Sequence, residues 1–374
     1  MKRIRFAGTV LLSGVLLLSI SEALACRYNV RETGFVDLGL DQYRLLCLVD
    51  PGTPDETREA LSAAAANLFS DLPISLGIQE WDPSFEDPAF TVLDPLTVST
   101  PAAVLLSPDS HTLDVGLLWT DNFSEEQVRK ALARVADSPI RSRITEGLAT
   151  SFGVVLFVEG DDLGENRRVE MTVAQALSAV EAELEYFPKP IRQGPIMIRL
   201  TQSELESDPV LMWSLHLDSH ALQDPVLAVL YGRGRWIGPL MTGREIQLDL
   251  LTQILFVIGA DCECGLDPRL IRGTAIPISW NREMRDLVAR DLGFDPDNPL
   301  VRIEVGQILR TNKRLDMRSL SADDPVLNFE IPASGSRSKS QGTIPGLFLM
   351  VGGMAVIALL IGAWMLVRSQ RGQH

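Results

Sequence analysis

The side chains that could carry chemistry are few, and the most conspicuous stand together in Asp261-Cys262-Glu263-Cys264-Gly265. A Cys-x-Cys pair offers two thiols that can close a strained disulfide, bind a soft metal ion, or cycle between oxidised and reduced forms. All three readings stay open. A complete zinc site would need two further ligands, and neither a Cys-x-x-Cys nor a close histidine pair lies nearby in the sequence. Of the remaining two cysteines, Cys47 falls inside the apolar run Tyr43-Arg44-Leu45-Leu46-Cys47-Leu48-Val49 and reads as a buried thiol packing as a small hydrophobe. Cys26 follows Ala23-Leu24-Ala25.

His216 and His220 are spaced i, i+4, so on a helix both imidazoles share a face and form a candidate metal pair. The intervening residues lack the glutamate of a His-Glu-x-x-His site, and the bland reading is two solvated histidines. His111 falls in a predicted hairpin turn and His374 is the last residue. Gly232-Arg233-Gly234-Arg235 lacks the helix start that presents amides to phosphate, and reads as a solvated turn. Asp161, Asp162 and Glu165 make an acidic loop whose spacing does not match an EF-hand. No catalytic residue and no cofactor is assigned from these patterns.

The elements that would position these residues repeat. Tyr43 to Val49 reads as a buried strand, an alanine-rich helix follows from about Asp55 to Phe69, and LPISLGIQ gives a second strand. A right-handed crossover makes this pair parallel. After a Pro- and Asp-rich stretch, a hairpin forms around Ser107 to Thr112, and Ser124 caps a helix that ends before Pro139. The order returns with a strand at Gly153–Val158, a helix at Glu170–Phe187, the strand GPIMIRL, a hairpin turning at Gly232 to Gly234, and a helix from about Arg244 to Ile258. Matching elements stand roughly 110 to 124 residues apart, the mark of a duplication. Farther on, Gly273 to Trp280 reads as extended, Arg282–Asp291 as a helix, and Leu300–Ile308 alternates like a strand.

Strand, helix, strand, a loop ending in Thr-Pro, hairpin and terminal helix resembles the plan of the thioredoxin-like fold. Thr100-Pro101 followed by Ala102-Ala103-Val104-Leu105-Leu106 is similar to that superfamily's cis-proline loop and strand, and Asp224-Pro225 before Val226–Leu230 occupies the equivalent place. The resemblance covers about residues 43 to 260. It implies an α/β architecture of two tandem thioredoxin-like domains, with a cis peptide before Pro101 and, by analogy, before Pro225. Redox members carry Cys-x-x-Cys after the first strand of the fold, where the helix start lowers a thiol pKa. The corresponding positions here read DPGTPDET and EGDDLGEN, without sulfur.

The ends of the chain bear on its location. Lys2, Arg3 and Arg5, the apolar run to Ile20 and Ala23-Leu24-Ala25 have the three parts of a signal peptide over 1–25, with lipidation of Cys26 as an alternative outcome of cleavage. Residues 344–367 hold 24 residues without a charge, about 36 Å as a helix and long enough for one transmembrane span, followed by Arg368 and Arg371 in a cytoplasmic tail, 368–374. The net charge is -15, and because the leader and the segment from Ile344 each carry +2, the body between them carries -19. Such a body repels nucleic acid and anionic lipid. The whole chain is 46% hydrophobic and 22% charged, a composition that marks the body as globular rather than disordered.

These observations predict a first domain over 26–150, a second with its extension over 151–332, and a polar tether over 333–343. The expected function is a membrane-anchored extracytoplasmic binding or assembly protein with a protein partner at the cell envelope. The alternative is a thiol-redox or metal-handling protein using Cys262 and Cys264.

Overall fold

The computed structural model describes residues 27–82, 100–120, 122–187, 189, 191–217, 222–260 and 275–316. Cys26, His220, Cys262, Cys264, the leader, the tether and the 344–367 span lie outside the described residues. Among the described residues, no helix is long and apolar enough to cross a membrane.

A short helix, α1 (Val30–Gly34), opens the described chain, closed by a reciprocal capping box between Asn29 and Glu32. Strand β1 (Tyr43–Val49) is buried except at Arg44. Helix α2 (Asp55–Leu68) crosses over to β2 (Ile74–Glu80), which lies parallel to β1. Strand β3 (Ala102–Leu106) runs antiparallel to β1 and turns back into β4 (Thr112–Leu117), so the sheet order is β2-β1-β3-β4. The two-residue side-chain period of a strand sends Tyr43, Leu45 and Cys47 to one face. There they pack with Leu61 and Ala65 of α2 and with Val128, Leu132 and Val135 of α3 (Glu125–Ala136), whose first turn Ser124 caps. Leu46 and Leu48 face the other way, against Val104 and Trp81.

Helix α4 (Pro139–Thr150) starts immediately afterwards because Ser138 caps it and Pro139 fits its first position. Its stripe Ile140, Ile144, Leu148 joins the second core rather than the first. There β5 (Val154–Val158), β6 (Ile196–Leu200), β7 (Val226–Tyr231) and β8 (Arg235–Thr242) repeat the first sheet's plan: β5 is parallel to β6, antiparallel to β7, and the order is β6-β5-β7-β8. Val154, Leu156 and Val158 turn toward α4, and Val155 and Phe157 are buried on the opposite face. Helix α5 (Leu163–Glu181) crosses from β5 toward β6 and packs on α8 (Leu248–Gly259). Two short helices, α6 (Gln202–Glu206) and α7 (Pro209–Ser214), connect β6 to β7.

Several expected elements are displaced. Helix α5 begins at Leu163, not Glu170, because Asp162 accepts hydrogen bonds from the Gly164 and Glu165 amides at 2.7 and 3.2 Å, and it ends at Glu181 well short of Phe187. Helix α8 begins at Leu248, since Gly243–Glu245 is spent on a 3-10 turn. The largest correction concerns Leu300–Ile308, which is not a strand. It lies inside α10 (Pro299–Asp316), preceded by α9 (Arg282–Leu292), and the residues it buries are Val301, Val305 and Leu309, four apart.

The two sheets and the extension belong to one compact unit. Val210 and Trp213 of α7 pack into the first core, and Ile276, Ile278 and Trp280 of the extension pack into the second. At the centre of this joint, the Arg141 Nε donates to Asp208 at 2.9 Å, Nη1 to the Pro277 carbonyl at 2.7 Å and Nη2 to the Val135 carbonyl at 2.8 Å. Both members of the ion pair are 3% exposed.

Candidate functional site

Both β-α-β-β units carry their first strand beside a parallel neighbour, with an antiparallel hairpin on the other side and a helix after it. This is the thioredoxin-like arrangement, in which chemistry is placed where the first strand meets the following helix, beside the loop entering the hairpin. In the first unit that place is Asp50-Pro51-Gly52-Thr53-Pro54. Thr53 donates from N and Oγ1 to the Asp50 carbonyl at 3.0 and 2.7 Å, and the Thr100 hydroxyl donates to the Asp50 carboxylate. The Thr100–Pro101 peptide is cis. Asp50, Pro51, Gly52 and Pro54 are exposed, so this end of the sheet presents a carboxylate to solvent.

The second unit differs. The Asp224–Pro225 peptide is trans, correcting the analogy with Pro101. Its loop is packed: the Asp161 amide donates to the Leu222 and Gln223 carbonyls at 3.1 Å each, and the Gly243 amide donates to the Pro225 carbonyl at 2.9 Å. Gly160 lies directly against this peptide, so close that a Cβ there would stand 2.5 Å from the Asp224 carbonyl carbon and 2.6 Å from the Pro225 nitrogen. Asn166 closes the other side, accepting from the Gly160 amide and donating to its carbonyl at 2.9 and 2.8 Å. In the second unit, then, Gly160 is packed against the proline peptide, while Asp161, Asp162 and Gly164 of the same strand-to-helix loop are exposed, as Asp50 to Gly52 are in the first.

Neither place contains sulfur. Cys47, the one cysteine among the described residues, is fully buried on the helix-facing side of β1, and burial pushes its thiol up to about 12. It is inert toward exchange at neutral pH. The arginine turn is also packed rather than solvated: Arg233 binds Asp297 at 2.6 Å, and Arg235, 4% exposed, binds Asp41 at 2.5 Å.

The histidines are rearranged relative to the i, i+4 pair. His216 is not helical. It follows the last turn of α7 with φ +56, its amide donates to the Trp213 carbonyl at 2.9 Å, and the Leu217 amide donates to the Met212 carbonyl at 3.1 Å. This is a Schellman ending with histidine at the position glycine usually fills. The left-handed backbone costs a non-glycine residue about 1 kcal/mol. His216 thereby projects toward the β3–β4 turn of the first unit, where its Nε2 lies 3.3 Å from Asp109 Oδ2 and its ring lies 4.4 Å from that of His111. Trp236 of β8 flanks the same imidazole at 5.7 Å.

The β3–β4 turn holds its two members firmly. The Ser107 amide donates to the His111 carbonyl and the His111 amide to Ser107 Oγ, both at 2.9 Å, while the Ser107 hydroxyl donates to Asp109. Desolvation raises the Asp109 pKa, but it is outweighed by the Ser107 hydrogen bond, by His111 and His216, and by a backbone amide, so the carboxyl titrates below its usual range. Ligand atoms of Asp109, His111 and His216 all lie within 4.8 Å of one another. Sequence reasoning singled out His216 but missed Asp109 and set His111 aside, because the turn and α7 meet only in three dimensions.

Two thioredoxin-like domains in tandem are the class this geometry defines. Among solved structures, the chain is similar to human ERp44 in its zinc-bound form, at 9% identity over 63% of this chain and 61% of that one, with a TM-score of 0.22. It is also similar to the first two thioredoxin domains of Saccharomyces cerevisiae Eps1p, at 12% identity over 58% and 92% of the two chains, TM-score 0.20. A third is the N-terminal domain of the alkylhydroperoxide reductase AhpF from Enterococcus faecalis, at 15% identity over 59% and 95%, TM-score 0.18. The fold assignment rests on strand order and pairing, not on these likenesses. No family model and no curated protein matches the chain.

Proposed function

We propose that this protein is a membrane-anchored, extracytoplasmic binding or assembly component whose tandem thioredoxin-like domains recognise a protein partner without exchanging disulfides with it. One observation carries the reading: the open loop at the first unit's working end offers Asp50, Thr53 and Thr100 where a redox member would offer two thiols. Fold alone does not assign function, so the reading rests on this site. Hydroxyls and a carboxylate at an exposed sheet end hydrogen-bond a polypeptide but cannot attack a disulfide. The acidic body, at -19, favours a partner with positive charge, and the uncharged run 344–367 supplies the anchor.

Site-specific photocrosslinking tests this reading. A crosslinking side chain at Pro51, in the full chain in its own membrane, should capture one discrete partner, and the same group at Ser62 on the outer face of α2 should not. Equal, diffuse labelling from both positions would remove the recognition role.

A further inference from the structure

We propose that Asp109, His111 and His216 form a zinc site that ties the hairpin of the first thioredoxin-like domain to the second domain. Two imidazoles and one carboxylate are a borderline divalent metal's ligand set, suited to zinc rather than to calcium or magnesium, which take all-oxygen shells. Their ligand atoms already stand within 4.8 Å of one another, and all three side chains are exposed, so modest rotations bring them onto one ion at about 2.0–2.2 Å. Three protein ligands leave the fourth tetrahedral position for water or for a partner's side chain.

The backbone shows how the cluster is assembled. His216 occupies a left-handed backbone position, φ +56, at the end of α7, where glycine would be at ease. Such a conformation persists because the surrounding packing and the helix-end hydrogen bonds hold it. What the conformation achieves is to aim the imidazole at the Asp109–His111 turn, with Trp236 walling one side. The turn is itself braced: Ser107 fixes one Asp109 oxygen, Oδ1, and leaves Oδ2 toward His216. Such support of a ligand by a neighbouring hydrogen-bonding group is the usual construction around a bound metal. Because the ligands come from both domains, metal binding favours their docked arrangement.

The test is titration of the full chain with zinc chloride, followed by X-ray absorption at the zinc edge. One equivalent should bind through nitrogen and oxygen ligands only. His111→Ala should weaken binding at least tenfold, and His220→Ala should leave it unchanged. The decisive variant is His216→Gly, which deletes a ligand while relieving the backbone. It should abolish tight binding yet melt, without metal, at or above the wild-type temperature. Absence of zinc uptake by the wild-type chain would overturn the proposal. So would sulfur in the zinc shell, or uptake undiminished in both His111→Ala and His216→Gly.

Discussion

Replacing Arg141 by methionine should destabilise the fold more than any surface change, and the structure supplies the size of the effect. The guanidinium is 3% exposed and satisfies three acceptors on three segments: Asp208 before α7, the Val135 carbonyl at the end of α3, and the Pro277 carbonyl in the extension. Methionine fills much of the volume but leaves Asp208 as a buried carboxylate retaining only the Ser138 hydroxyl and the Leu211 amide. Removing one partner of a buried ion pair typically costs about 3–5 kcal/mol, most of it the stranded charge. Arg141→Met should therefore lose about 3–5 kcal/mol in urea unfolding followed by tryptophan fluorescence. Asp208→Asn keeps an oxygen to cap α7 and removes the charge. The double variant Arg141→Met/Asp208→Asn should consequently be more stable than Arg141→Met alone. A loss below about 1 kcal/mol for Arg141→Met, or strictly additive losses in the double variant, would refute the view that this pair locks the two domains and the extension together.

Two further outcomes follow from the geometry. Gly160→Ala places a Cβ 2.5–2.6 Å from the backbone around Asp224 and Pro225, and should cost about 1–3 kcal/mol by the same unfolding assay, whereas Gly39→Ala, with open space around it but φ +70, should cost about 1 kcal/mol. Asp297 is held below the usual carboxylate range: desolvation raises its pKa, but Arg233 and Arg302 more than offset it. Its stabilisation is thus complete above the ordinary carboxylate pKa and is lost as pH falls through the depressed value, so the advantage of wild type over Asp297→Asn, about 1 kcal/mol at neutral pH, should vanish in strong acid.

The sheets are readable because their central strands are nearly continuous apolar runs bounded by Pro, Gly and Asp, and because the same order occurs twice. Tyr43–Val49 and Val226–Tyr231 read as buried strands by their short length and flanking breakers, and each lies in the centre of its sheet. Leu300–Ile308 misled because alternation over a few residues coexists with a four-residue spacing. Pro299 at a helix start and Val301, Val305 and Leu309 on one face carry the signal that decides it. The exposed loop at Asp50 is legible as a position lacking cysteine, but the packing of Gly160 against the Asp224–Pro225 peptide is not, since close backbone approach leaves no mark beyond a glycine. The histidine site was half legible. His216 stood out by its spacing from His220, yet a Schellman ending before His216 breaks the helix on which that pairing depended, and its nearest chemical neighbours come from the other domain.

The proposal that these domains recognise rather than react is tested most directly by disulfide exchange. The full chain, incubated with a disulfide-bonded substrate protein in glutathione buffers across oxidising and reducing ratios, should leave the exchange rate at its uncatalysed value, with Cys47 unlabelled by thiol reagents until the protein is unfolded. Catalysed turnover that disappears on Cys262→Ser or Cys264→Ser would contradict the account and place a working thiol centre at that pair.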